Sequence, residues 1–200
     1  IDFTGSPVAT GYSVIRVYPL SSKEDDLGSF TSTPILLSGL TLDSTYYFTI
    51  KASNDFGSSG ATEVLGVTPS SNMPKILIIN GFDRVSGTTN TYDFIKQHGD
   101  AIHKNGYTFD SASNEAIING RVKLTDYAII DWILGEEGSS TSSFDETEQS
   151  LLKEFMKKGG RLFVSGSEIG YDLVEKGSMS DNLFFEKFLK AEYISDAAAG

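Results

Sequence analysis

Cysteine is missing from all 200 residues. That absence removes disulfide staples, thiolate nucleophiles and cysteine-ligated zinc together. Histidine is nearly missing as well, with only His98 and His103. Their separation puts them on different faces of a helix, a poor metal pair, so a histidine-rich metal site is excluded. Basic residues are scarce against acidic ones, 16 to 27, for a net charge of -11. This charge repels phosphate backbones and anionic membrane surfaces, so nucleic acid is not an expected partner. No apolar run approaches the ~18 residues of a spanning helix, so no membrane span is expected. No charged-then-apolar leader opens the chain, which reads as beginning mid-domain. Tryptophan occurs once, at Trp132.

What is present is the composition of a packed globular protein, 39% hydrophobic and 22% charged. Residues 1–69 carry strand signals and no helical periodicity. Gly11–Tyr18 largely alternates apolar and polar residues, Pro34–Leu37 is a short apolar run, and Thr45–Ala52 is β-branched and aromatic. Glu63–Thr68 is the last of these strands, and Gly/Ser/Asn/Asp clusters separate them all. Residues 70–74, between Pro69 and Pro74, read as a linker.

From Lys75 the pattern changes to alternating strands and helices. Ile76–Ile79 is a continuous apolar run, as expected of a strand buried on both faces, and Ala128–Leu134, interrupted only by Asp131, and Leu162–Val164 read as two more buried strands. A weaker strand is expected within 108–118. Thr91–Lys104 predicts a helix turning Tyr92, Ile95 and Ile102 inward and stopping at Gly106. Ser143 and Glu146 have capping-box spacing before a helix with Leu151, Leu152, Phe155 and Met156 inside. Asn182–Lys190 predicts a last helix burying Leu183, Phe184, Phe188 and Leu189. This order argues for a parallel sheet with crossover helices over 75–200, the domain reading as incomplete at its C-terminal end.

Two resemblances follow from these residues. Leu40-Thr41-Leu42-Asp43-Ser44-Thr45-Tyr46, continuing through Tyr47–Ala52 to Ser53-Asn54, resembles the E–F region of fibronectin type III domains. Tyr46 falls at that family's tyrosine corner, which implies a hydrogen bond back across the corner. The likeness implies a sandwich reduced at its N-terminal end, with its usual core tryptophan missing. Gly166-Ser167-Glu168-Ile169-Gly170 has the spacing Gly-x-nucleophile-x-Gly, which turns a strand sharply into a helix. With it, residues 75–200 resemble class I glutamine amidotransferase-like domains, which implies a flavodoxin-like three-layer α/β fold. That family carries a cysteine at the elbow. Here Glu168 stands there and no histidine follows it, so the family's Cys–His chemistry is not expected. The segments Lys75–Arg84, Asp131–Glu137 and Gly159–Leu173 are similar to secreted bacterial proteins labelled xanthan lyase or N-acetylmuramoyl-L-alanine amidase. Those labels appear on longer chains. The likeness implies a secreted or periplasmic cell-wall or polysaccharide context, with other domains of a longer chain and carbohydrate as partners.

Sites in open α/β sheets lie beyond the carboxyl ends of the strands. Three polar clusters fall there: Asn80–Arg84, Gly135-Glu136-Glu137 with Asp131 just inside, and Ser165–Gly170. Glu168 has two readings. It is a nucleophile or general base, with Glu136 or Glu137 as acid partner in two-carboxylate glycoside chemistry. Alternatively it caps the helix after the elbow, since Ser165 and Glu168 also have capping-box spacing. Asp83 and Arg84 read as a substrate grip or a loop ion pair, and Ser167 as a binding residue. Asp131, Glu136 and Glu137 read as a Ca²⁺ cluster or as solvated acids, without the Asp-x-Asp-x-Asp-Gly loop that favours the ion. No cofactor or resident metal is expected. The favoured reading is a non-catalytic accessory region; the alternative is a hydrolase on polysaccharide or peptidoglycan fragments using Glu168 and a second carboxylate. An interaction module, marked by an exposed apolar patch, is a third.

Overall fold

The computed structural model describes residues 1–136 and 142–195. By contacts the chain divides into two compact units. One is Ile1–Pro74 with Tyr92–Ser111, the other Lys75–Thr91 with Ala112–Gly200. The architecture is an antiparallel β part and a parallel α/β part.

The antiparallel sheet contains β1 (Gly11–Val17), β2 (Glu24–Phe30), β3 (Tyr46–Asn54), β4 (Gly57–Ser58) and β5 (Leu65–Val67). Its order is β2-β1-β3-β4, with β5 also on β3. β1 and β3 pair residue for residue from Gly11 opposite Ser53 to Val17 opposite Tyr47. Tyr12, Val14, Tyr46, Phe48 and Ile50 form the core with Ile35. Two features depart from expectation. Pro34–Leu37 is not a strand. Pro34 has no N–H to give a ladder, and Ile35 instead exchanges two hydrogen bonds with Ile1, at 2.6 and 2.8 Å. β2 carries no apolar alternation in Glu-Asp-Asp-Leu-Gly-Ser-Phe, yet it pairs with β1 through a register shift between Ser13 and Ile15.

Tyr46 Oη accepts the Thr41 N–H at 2.9 Å, tying the start of β3 to the turn before it. A helix also belongs to this unit. In chain order β6 (Ile76–Asn80) comes first, then α1 (Phe94–Lys104). α1 packs against β5, and Tyr47 Oη donates to the Lys96 carbonyl at 3.1 Å. A Cβ on Gly99 would lie 2.5 Å from Tyr47 Oη, so a glycine is needed for this approach. Burial, helped by the charge of Asp100, holds the Tyr47 hydroxyl well above the ordinary tyrosine range.

β7 (Phe109–Ser113) runs from the first unit into the second, and α2 (Asn114–Ile118) follows. β8 (Ile129–Gly135), α3 (Glu146–Lys157), β9 (Arg161–Gly166) and α4 (Met179–Lys187) complete the second unit. β6, β8 and β9 run parallel, with Ile79 beside Trp132 and Trp132 beside Val164. The side chains of Leu77, Ile79, Ile130, Trp132 and Leu134 pack on Phe144, Leu152, Phe155 and Phe184. Trp132 is fully buried in this core, its ring centroid 5.3 Å from that of Phe144. Among the described residues, no helix is long and apolar enough to cross a membrane.

Three details in this unit correct the expectations. The cap of α3 is Asp145, not Ser143: Asp145 Oδ1 accepts the Glu148 N–H at 2.7 Å and Glu148 Oε2 accepts the Asp145 N–H at 2.8 Å. An aspartate closer to the helix gives the same reciprocal box two residues later. Second, α4 begins at Met179, capped by Ser178 and Asp181, which turns Leu183 outward and buries Phe184 and Phe185. Third, β9 is not buried on both faces. It ends the sheet, and Phe163 is 58% exposed.

Candidate functional site

The strand register of the second unit determines which polar residues meet. Asn80 and Ser165 both lie opposite Ile133, and Gly166 lies opposite Gly135. The turns after β6, β8 and β9 therefore sit side by side, about 4.8 Å from strand to strand. Asp131, opposite Ile78 and Phe163, lies further back, buried within the sheet. The expected convergence of three turns is present, with Asp131 behind it.

Two of these turns are tied by a residue that carried no sequence signal. Asn90 is fully buried. Its Nδ2 donates to the Arg84 carbonyl at 2.6 Å and the Glu136 carbonyl at 3.0 Å, while its Oδ1 accepts the Glu136 N–H at 2.8 Å. The side chain thus stands in for a piece of strand backbone. Gly135 makes room for it: a Cβ there would lie 2.6 Å from Asn90 Oδ1, and its φ of +57° is left-handed. The Asp83, Arg84 and Glu136 residues themselves are exposed. Glu137 lies outside the described residues.

The third turn has the geometry that its spacing implies. The Ser167 N–H donates to the Gly135 carbonyl at 2.9 Å. Glu168 then takes a φ of +63°, a left-handed conformation that costs a non-glycine residue about 1–2 kcal/mol. Both flanking glycines are required by close approach. A Cβ on Gly166 would lie 2.6 Å from Leu134 Cβ, and one on Gly170 would lie 2.8 Å from the Tyr193 ring. The Glu168 carbonyl accepts the Asp172 N–H at 2.8 Å, so the chain enters the helical turn Tyr171–Glu175 directly.

The capping reading of Glu168 fails on this geometry. Its side chain makes no hydrogen bond or ion pair with any described residue. It is half-buried and borders a cleft of about 560 Å³. Leu162, Val164, Phe185, Phe188 and Leu189 line the same cleft, and among the described residues Glu168 is its one ionisable group. Neither Glu136 nor Asp83 reaches it. Among the described residues, the paired carboxylates that glycoside hydrolysis needs are not brought together here. Nor does any group of three His, Asp or Glu side chains among the described residues come together as a metal would require.

Two acids of this unit whose protonation is shifted by their surroundings serve its framework. Burial pushes the Glu148 carboxyl above the ordinary range, against the hydrogen bonds from Asn114 and the Asp145 backbone. Asp181 is also partly desolvated, but hydrogen bonds from Gln149 and Ser178 outweigh that and hold it below the ordinary range. Both belong to helix caps, and neither lines the cleft.

Comparison with models of known protein families finds no match, and comparison with curated proteins finds none either.

Proposed function

We propose that this chain is a non-catalytic accessory region of a secreted bacterial protein of cell-wall or polysaccharide context, and that the Glu168 cleft is a binding surface. The first unit is read as a fibronectin type III-like module and the second as a degenerate glutamine amidotransferase-like domain. The Tyr46–Thr41 hydrogen bond favours the first assignment. The parallel order β6-β8-β9 and the strained turn at Glu168 favour the second.

One observation carries the functional reading. The elbow presents Glu168 to a cleft of mainly apolar side chains where, among the described residues, no second carboxylate, imidazole or hydrogen-bond partner meets it. A lone carboxylate in that setting has no group to activate it or to share a proton with. It can still hold a cationic or hydrogen-bond-donating ligand against apolar walls.

The test is incubation of the protein with soluble polysaccharides, muropeptides and model esters, followed by mass analysis. Unchanged ligand masses are expected. A cleavage product lost on Glu168→Gln would overturn the reading.

A further inference from the structure

β9 pairs with β8 along one side, and among the described residues no strand pairs with its other side. Hydrogen bonds fix which groups face that open side. The Arg161 N–H donates to the Ala128 carbonyl at 3.1 Å and the Ser167 N–H to the Gly135 carbonyl at 2.9 Å. Odd-numbered residues of β9 therefore bond toward β8. Alternate residues of a parallel strand direct N–H and C=O to opposite sides. Leu162 and Val164 accordingly turn both groups outward, a row of donors and acceptors unmet by any described strand.

The surroundings of that row are apolar on both faces. Leu162 and Val164 point into the cleft toward Phe185, Phe188 and Leu189. Phe163 alternates to the other face of the strand, although it too borders the cleft, and is largely exposed. Glu168 brings the one charge that the described residues give the cleft, at the end where β9 finishes. Outward backbone groups select an extended polypeptide over a sugar, because only a strand offers matching N–H and C=O groups at the right repeat. Apolar surface on both faces selects side chains like those of a buried parallel strand. The lone carboxylate, on a chain of net charge -11, selects a basic residue.

We propose that the open edge of β9, with the Glu168 cleft beside it, accepts one extended strand of a partner protein. The strand is apolar on both faces and carries a lysine or arginine where it meets Glu168. This rests on the binding reading above and names the partner class of that cleft.

The test uses a blocked peptide of valine and isoleucine with a lysine at each end, and a control with glutamate at each end. Amide hydrogen exchange of the full chain is followed during titration. The Leu162 and Val164 amides are expected to slow at least about tenfold with the lysine peptide, which binds about fivefold more tightly than the control, the worth of one part-exposed charge pair. Glu168→Gln removes that preference. Val164→Pro, which deletes an outward N–H and spares the β8 ladder, abolishes binding while its thermal unfolding stays cooperative. Unchanged exchange with both peptides overturns the proposal. So does protection of both amides in the free protein, or protection that grows with protein concentration alone, which would make a second copy the occupant. Absent peptide binding without turnover removes this inference only, whereas Glu168-dependent turnover removes the binding reading beneath it.

Discussion

The Asn90 side chain and the Glu136 backbone exchange two hydrogen bonds, 2.8 and 3.0 Å long, as two paired strand residues would. A third, to the Arg84 carbonyl, lets one buried amide fasten the turns after β6 and β8 together. Asn90→Ala takes the side-chain partner from three backbone groups. Its expected cost is about 2–4 kcal/mol, since unmet buried polar groups cost about 1–3 kcal/mol each and water recovers part. Urea unfolding measures it, and Asn90→Asp, unable to donate, is expected to lose nearly as much.

Tyr46 and Thr41 give a second, independent test in the other unit. Tyr46→Phe removes the acceptor of the Thr41 N–H and keeps the ring packed near Phe48. A loss of about 1 kcal/mol is expected in thermal or urea unfolding.

Strain at Glu168 can be measured directly. Glu168→Gly relieves the left-handed conformation and is expected to raise stability by about 0.5–1 kcal/mol, part of the strain being offset by the greater freedom of an unfolded glycine. Glu168→Gln keeps the strain and is expected to leave stability unchanged. A glycine variant less stable than the parent would mean that the carboxylate contributes to the fold.

Glu148 gives a pH dependence with a definite sign. Burial raises its folded pKa above the ordinary 4.5. The folded state then holds the proton more tightly than the unfolded state. Its contribution is complete below the unfolded pKa and is lost as pH rises through the folded one. The stability difference between parent and Glu148→Gln is therefore expected to move against the parent from pH 4 upward. Chemical unfolding at a series of pH values checks it.

Much of the framework was legible because buried strands have a simple signature. Ile76–Ile79 is apolar whichever way each side chain points, and Ala128–Leu134 is broken only by Asp131, so β6 and β8 announce themselves. β2 does not, because its acidic and glycine-rich residues lie mostly in solvent and only the β1 ladder makes it a strand. Leu162-Phe163-Val164 reads as buried for the same reason as β8. Its exposure follows from strand order, which no local pattern encodes. The elbow was visible because two close approaches demand glycine on either side of residue 168. Asn90 was invisible: a side chain that bonds backbone carbonyls from a loop needs no neighbour of any particular type.

The most direct measurement replaces Glu168 with cysteine, in a chain that has no other thiol. The account predicts that the introduced thiol is alkylated readily by iodoacetamide, at the rate and with the pH dependence of a free cysteine near pKa 8.5, and that no ester or amide substrate is cleaved. A thiol closed to the reagent would contradict the presented elbow. A thiol reacting far faster than a model thiol at neutral pH, with substrate turnover, would reveal catalytic machinery where the account places only a binding surface.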